Sequence, residues 1–327
     1  MTYVLDLQRL WYEAEDTSEQ TASPELRKNV VSAIVVAEED EEKLILTIQS
    51  VLVQQLVREV IIVNCGNSAA IEKSLIKFTS LHSKCYIVNG QKRMGLASAY
   101  NLGAQYASGQ YLLFLNANSI LPKNTVMKLL TTGLRKPTPW VIGVQERRYA
   151  PSTQKMGIWA KLSGKARSKI SAPSYEDNKM QVEVSLAGGG FHAANVAPEC
   201  LFIPTQAFLD LKGMDKKCFH STFHRDLCLR VHLAGGGVYR ARDLNLVIEQ
   251  NLSLPLGMEI YRQWQAFKGI VHFYKKYVSS NTNIFLMAMN YLGLTLKFLG
   301  NLCFSLFSLV LPRTAKAPTL EKRRCLT

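Results

Sequence analysis

The sequence predicts an α/β fold whose parallel sheet is covered by helices on both faces. Three observations lead there. At 327 residues and 47% hydrophobic content the chain is long enough to bury a large core, which excludes a peptide or a mainly disordered protein. Short, nearly continuous apolar runs recur between residues 31 and 144. Stretches of helical character separate those runs, and strands apolar on both faces and divided by helices are what a doubly covered parallel sheet needs.

In chain order, Val31–Val36 (VSAIVV) is the first strand. Glu41–Val53 follows as a helix whose apolar residues Leu44, Leu46, Ile48, Val51 and Leu52 keep the helical period only roughly. Glu59–Val63 is a second buried strand, ended by Asn64-Cys65-Gly66, and Ile71–Leu81 a second helix. Cys85–Val88, the small-residue helix Leu96–Ala107, the strand Tyr111–Leu115, the helix Asn124–Leu134 and the strand Trp140–Val144 complete the series. Ligands of such sheets bind beyond the carboxyl ends of the strands. Attention therefore falls on Ala37-Glu38-Glu39, Asn64-Cys65-Gly66 and Asn116-Ala117-Asn118.

Beyond Gln145 the character changes. Residues 147–179 carry eight Lys or Arg (Arg147, Arg148, Lys155, Lys161, Lys165, Arg167, Lys169 and Lys179) against Glu176 and Asp177. Two readings stand side by side, an acceptor- or phosphate-binding loop and a solvated surface loop. Gly188-Gly189-Gly190 and Gly235-Gly236-Gly237 lack the spacing and the lysine of a P-loop, and the second triplet reads as the end of a helix over Arg225–Ala234.

Seven scattered cysteines, odd in number and without C-x-x-C spacing, argue against a disulfide framework or a structural zinc site and for a reducing compartment. The net charge of +14 draws the protein toward anions. Residues 1–28 are acidic, with a polar stretch over Thr17–Pro24, and are expected to form a loosely ordered leader; they lack the basic region and apolar core of a signal peptide. Ile284–Leu311 is almost wholly apolar, with Lys275 and Lys276 before it and Arg313, Lys316, Lys322, Arg323 and Arg324 after it. It is long enough to cross a bilayer of about 30 Å. Lys297 within it makes a helix or hairpin lying in the interface at least as good a reading as a span. Basic flanks beside an apolar segment suit anionic lipid, and nucleic acid is not expected as a partner, since no nucleic-acid module is present.

The order and spacing of several signposts resemble the family 2 glycosyltransferases, in particular their rhamnosyltransferase-like branch. These are VSAIVV, EVIIV with Gly66, the run Arg93-Met94-Gly95-Leu96-Ala97-Ser98-Ala99-Tyr100-Asn101-Leu102-Gly103, Ala107-Ser108-Gly109-Gln110-Tyr111 leading into FLNAN, Gly213-Met214-Asp215, Asp226-Leu227-Cys228-Leu229-Arg230 and Ala234-Gly235. The likeness covers about Asn29 to Tyr277. It implies a GT-A (Rossmann-like) fold that takes a nucleotide-sugar and inverts the anomeric carbon, and an acceptor that is an envelope glycan or lipid-linked. It also implies a transferase-like domain over residues 29–250, while the apolar segment with its basic flanks points to a helical, membrane-associated region over 251–327 and a place on the cytoplasmic face of a membrane.

The family's chemistry asks for a carboxylate after the second strand, a metal-holding D-x-D-like element after the fourth, and a later Glu-Asp pair that supplies the base. This sequence departs at each. Asn64-Cys65-Gly66 stands for Asp-Asp-Gly, and Asn118 for the metal-binding aspartate, where a neutral amide is a poorer ligand for Mg²⁺ or Mn²⁺. Phe223 and His224 stand for the Glu-Asp pair, while Asp226 and Arg230 persist. Glu38 and Glu39 bring acid near the nucleotide, and the histidine the family often shows after its last strand is missing around Val247-Ile248-Glu249-Gln250.

The resemblance thus assigns nucleotide-sugar contacts to Ala37, Glu39, Cys65, Arg93, Asn116 and Asn118, the catalytic positions to His224 and Asp226, and no residue to a metal. An imidazole of ordinary pKa near 6.5 accepts a proton at neutral pH, so His224 is the candidate base; its other reading is a polar residue beside an inactive site. Asp226 and Arg230, four apart on a helix, suit a structural pair. Two functions follow. One is an active transferase without a tightly held metal, with Arg93 and the basic loop neutralising the diphosphate. The other is a pseudo-glycosyltransferase serving as membrane-bound scaffold for an active glycosyltransferase.

Overall fold

The structure, a computed structural model, describes residues 29–37, 40–92, 94–148, 200–218, 222–248 and 256–277, with a few further positions between 288 and 303. Its strands are β1 (Val31–Ala37), β2 (Val57–Asn64), β3 (Cys85–Asn89), β4 (Tyr111–Asn116), β5 (Ser119–Ile120), β6 (Trp140–Arg148), β7 (Cys200–Pro204) and β8 (Gly237–Ile248). The helices are α1 (Glu41–Leu52), α2 (Ala69–Ser80), α3 (Leu96–Gln105), α4 (Thr125–Leu134), α5 (Thr205–Asp210), α6 (Phe223–Leu233) and α7 (Leu256–Tyr277). All strands join one sheet in the order β3-β2-β1-β4-β7-β6-β8-β5.

The expected parallel sheet is present over β3-β2-β1-β4, and β6 and β8 also pair in parallel, but the two parallel parts are not adjacent. β7 runs antiparallel to both β4 and β6, so the sheet is mixed. β7 is only five residues long, and nothing in its length or composition separates it from a helical fragment. Both faces are covered. Val31, Ala33, Val35 and Ala37 of β1 pack with Leu44, Ile48 and Val51 of α1, whereas Ile34 and Val36 pack on the other face with Tyr100 of α3 and Phe223 and Leu227 of α6. That alternation is the two-residue period of a strand buried on both sides.

The weak periodicity of α1 has a structural cause. Thr47, Ser50 and Gln54 lie on or just beyond its buried face and hold the backbone that follows β4. Thr47 Oγ1 donates to Ala117 O at 2.8 Å, Ser50 Oγ accepts from Leu121 N at 3.0 Å, and Gln54 bonds both Pro122 O (2.9 Å) and Val126 N (3.2 Å). Polar residues stand where an apolar stripe would be, because a buried connection must have its backbone groups satisfied.

The glycine signposts also have structural reasons. A Cβ at Gly103 would lie 2.5 Å from Ile34 Cγ2 and 3.0 Å from Val63 Cγ2, so α3 rests on the sheet without a side chain between them. At the opposite edge of the sheet Glu59 Oε1 accepts from Ser32 Oγ (2.5 Å) and from Ser108 N (2.7 Å), and Gly109 N donates to Ser32 Oγ at 2.8 Å. The Ala107-Ser108-Gly109 turn is therefore a clip that fixes the start of β4. Gly235, at φ +79°, ends α6 as the sequence suggests, with Gly236 N bonded back to Val231 O at 2.9 Å.

Among the described residues no helix is long and apolar enough to cross a membrane. Most of Ile284–Leu311, the leader 1–28, nearly all of the basic loop and the first glycine triplet lie outside the described residues.

Candidate functional site

Strand register draws the predicted residues to one edge. Ala37 pairs with Asn64, Val36 with Asn116 and Asn64 with Asn89, so the ends of β1, β2, β3 and β4 lie level at the carboxyl edge of the parallel half. Here the chain reverses four times, and amide side chains shape the reversals. Asn64 Oδ1 accepts from Asn67 N (3.2 Å), Asn64 Nδ2 donates to Asn89 Oδ1 (3.2 Å), and Asn67 Nδ2 donates to Ala37 O (3.2 Å). Gly66 holds φ at +81°, a conformation that favours glycine, and Lys92 leaves no room for a side chain there. Cys65 between them is half-buried, and burial raises its thiol pKa.

Asn116 closes β4. Its Oδ1 accepts from the hydroxyl of Tyr100 at 2.7 Å, and the Tyr100 ring lies 5.8 Å from that of Phe223, the first residue of α6. Phe223 in turn meets His224 edge-on at 5.8 Å between ring centroids. A continuous chain of contacts thus links the end of β4 to the first turn of α6. Asn118 is half-buried two residues beyond Asn116, on the turn fixed by Thr47. His224 is buried. Glu39 and Arg93 lie outside the described residues.

Asp226 is held by a different group of residues. Wholly buried, it accepts from Arg230 Nε (2.7 Å), Lys276 Nζ (2.7 Å) and Tyr277 Oη (2.7 Å), and it pairs with Arg230 Nη2 at 2.6 Å. Arg230 Nη1 also bonds Leu211 O. Asp215 completes the cluster, taking Lys276 Nζ at 2.8 Å, His272 Nε2 at 3.1 Å and Lys217 N at 2.9 Å. Burial alone would raise the Asp215 carboxyl, but the hydrogen bonds from Lys276, Lys217 N and His272 outweigh it and hold the group well below the usual carboxylate range. Lys276 is pushed the other way: burial lowers it, while Asp215 and Asp226 outweigh that and raise it above the ordinary lysine value.

Asp226 therefore fastens α7 to the domain, with both oxygens engaged by cations or a phenol. Reasoning from sequence missed Lys276 and Tyr277 as its neighbours, and His272 and Lys276 as those of Asp215. A signal was present, because His272 and Lys276 are four apart and share one face of α7. Asn101 also went unassigned; its amide pairs with Met214 N and O, both at 2.8 Å, and so joins two signposts over a hundred residues apart.

Residues 32–190 match the family model described as glycosyl transferase family 2. Over that stretch the chain is similar to the family 2 glycosyltransferases. Solved structures of the same architecture agree. A mannosyltransferase from Pyrobaculum calidifontis, in complex with GDP-Man and Mn²⁺, superposes at a TM-score of 0.56 and 15% identity, covering 93% of this chain and 81% of that one. GalNAc-T7, solved with UDP, GalNAc and Mn²⁺, gives a TM-score of 0.51 at 15% identity over 69% of this chain and 44% of that one. Both likenesses show the GT-A fold. No curated protein matches the sequence.

A divalent ion at the end of β4 would meet Asn116 and Asn118, both neutral. The Asn116 oxygen already accepts the Tyr100 hydroxyl. Such a donor set does not suit Mg²⁺ or Mn²⁺, which are held by carboxylates. At the end of β2 Asn64 and Cys65 stand where the resemblance expects acid, with the neutral Asn67 and Asn89 beside them and Lys92 packed against Gly66.

Proposed function

We propose that the protein transfers a sugar from a nucleotide-sugar to an envelope glycan or lipid-linked acceptor at the cytoplasmic face of a membrane, without a metal at the end of β4. One observation carries this reading: the contact chain Asn116–Tyr100–Phe223–His224, which places the first turn of α6 at the corner where β4 ends. The nucleotide-sugar lies across the ends of β1, β2 and β4, against Ala37, Cys65, Asn116 and Asn118, with Glu39 beside it. His224 takes the proton of the acceptor hydroxyl as the oxygen attacks the anomeric carbon and the nucleoside diphosphate leaves. Arg93 and the basic residues of 147–179 balance the negative charge that gathers on the diphosphate. The basic flanks of residues 284–311 hold the chain to anionic lipid.

A second reading, a catalytically inactive scaffold for an active glycosyltransferase, is favoured by the saturated carboxylate of Asp226 together with neutral side chains at each metal or base position. Product formation separates the two. Incubation with radiolabelled nucleotide-sugars and membrane-derived acceptors gives labelled product with the wild type and none with His224→Ala, which still binds the donor. A folded wild type that forms no product with any donor tested, and binds none, overturns the transferase reading.

A further inference from the structure

The loop between α5 and α6 and the face of α7 that meets it bring together three metal-ligating side chains that the transfer reaction does not use. Asp215, Cys218 and His272 each offer one ligand atom, and these atoms lie within 4.8 Å of one another. We propose that they form a zinc site that staples α7 to the transferase domain.

The donor set makes the choice of ion. One carboxylate oxygen, one thiol sulfur and one imidazole nitrogen suit a tetrahedral zinc ion with a fourth position left for water, whereas Mg²⁺ and Mn²⁺ prefer oxygen throughout. This place is distinct from the end of β4, where the family's metal would sit. Metal–ligand distances of about 2.0–2.3 Å set ligand atoms roughly 3.2–3.8 Å apart. Asp215 Oδ2 and His272 Nε2, at 3.1 Å, are close to that spacing, and Cys218 Sγ, within 4.8 Å of both, needs a shift of at most about 1.6 Å to join them.

The surroundings support the three ligands. Cys218 N bonds Asp215 O at 3.0 Å, so a tight turn fixes the D-x-x-C spacing, and Lys217 N holds Asp215 Oδ1 at 2.9 Å, leaving Oδ2 toward His272. Such bonds from outside the metal shell orient its ligands. Lys276, which also touches Asp215 Oδ2, has a second carboxylate within reach, since its Nζ lies 2.7 Å from Asp226 Oδ1. It keeps a full partner when Asp215 turns to the ion. The Cys218 thiol's proton passes to solvent as the zinc–sulfur bond forms.

The test uses the full chain, purified without a histidine tag, stripped with chelator, loaded with Zn²⁺ and washed. Elemental analysis is expected to find about one zinc per chain in the wild type and background levels in Cys218→Ser and His272→Ala. Co²⁺ in place of zinc gives a near-ultraviolet thiolate charge-transfer band, absent from Cys218→Ser. Where Cys218→Ser does not fold, His272→Ala, altered at a partly exposed position on α7, carries the comparison. No zinc above the chelated control, a cobalt complex without the thiolate band, or zinc retained in full by folded His272→Ala overturns the proposal. None of these readouts depends on nucleotide-sugar binding.

Discussion

Replacing Asp226 by Asn keeps the size of the side chain and removes its charge from a wholly buried position. In the native cluster that charge faces Arg230 at 2.6 and 2.7 Å and Lys276 at 2.7 Å, and accepts the Tyr277 hydroxyl at 2.7 Å. Breaking a buried ion pair from one side costs about 3–5 kcal/mol, because the partner is left without its counter-charge. Here Lys276 retains Asp215 and Arg230 retains Leu211 O, so the loss falls at the lower end, about 3 kcal/mol. In a domain of this size each kcal/mol shifts the melting temperature by about 2–4 °C, so Asp226→Asn is expected to melt roughly 6–12 °C below the wild type. Urea unfolding gives the free energy, and amide hydrogen exchange shows where it is lost: residues 256–277 exchange faster while β1, β2 and β4 stay protected. A variant within about 1 kcal/mol of the wild type, with unchanged exchange over α7, refutes the argument that this carboxylate is a fastening and frees it for a chemical role.

Three further predictions concern the same framework. The folded-state value of Asp215 lies below the ordinary carboxylate range, so its contribution is complete above about pH 4–5 and lost as pH falls through the depressed value. Lys276 is raised, so its contribution is complete below about pH 10 and lost as pH climbs through the raised value. The stability difference between wild type and Lys276→Met should therefore be flat from about pH 5 to 10 and shrink on either side, as read by urea melts across pH. Gly103→Ala forces a methyl between α3 and the side chains of Ile34 and Val63, and is expected to cost about 1–3 kcal/mol by the same assay. Gln54→Leu leaves Pro122 O and Val126 N without their partner in a buried setting and should cost about 2–4 kcal/mol, with faster amide exchange in the turn after β4.

The parallel half of the sheet could be read from sequence because its strands are buried on both faces, so each apolar run stands out unaided. β7 could not, because a five-residue run carries no period long enough to identify it. In α1 the blurred periodicity was itself informative, yet its meaning depended on the backbone 65 to 75 residues further on that Thr47, Ser50 and Gln54 hold. The strand-end residues of the candidate site follow from topology once the parallel order is known, which is why Ala37, Asn64 and Asn116 fall level. The surroundings of Asp226 do not follow from local sequence, since Lys276 and Tyr277 arrive on α7 some fifty residues later. Several signposts that suggest chemistry, Asn101, Ser108, Gly109 and Gly213 among them, have backbone fit as their visible reason.

The central claim is that a carboxyl edge lined by neutral amides and a thiol still takes a nucleotide-sugar, and does so without a metal at the end of β4. Isothermal titration of the purified chain with UDP, GDP and dTDP and their sugar esters, in chelator and then in Mn²⁺, tests it most directly. The account predicts micromolar binding of at least one nucleotide, with the same affinity in both buffers. No heat from any ligand with the protein folded, or binding that appears only with Mn²⁺, would contradict it.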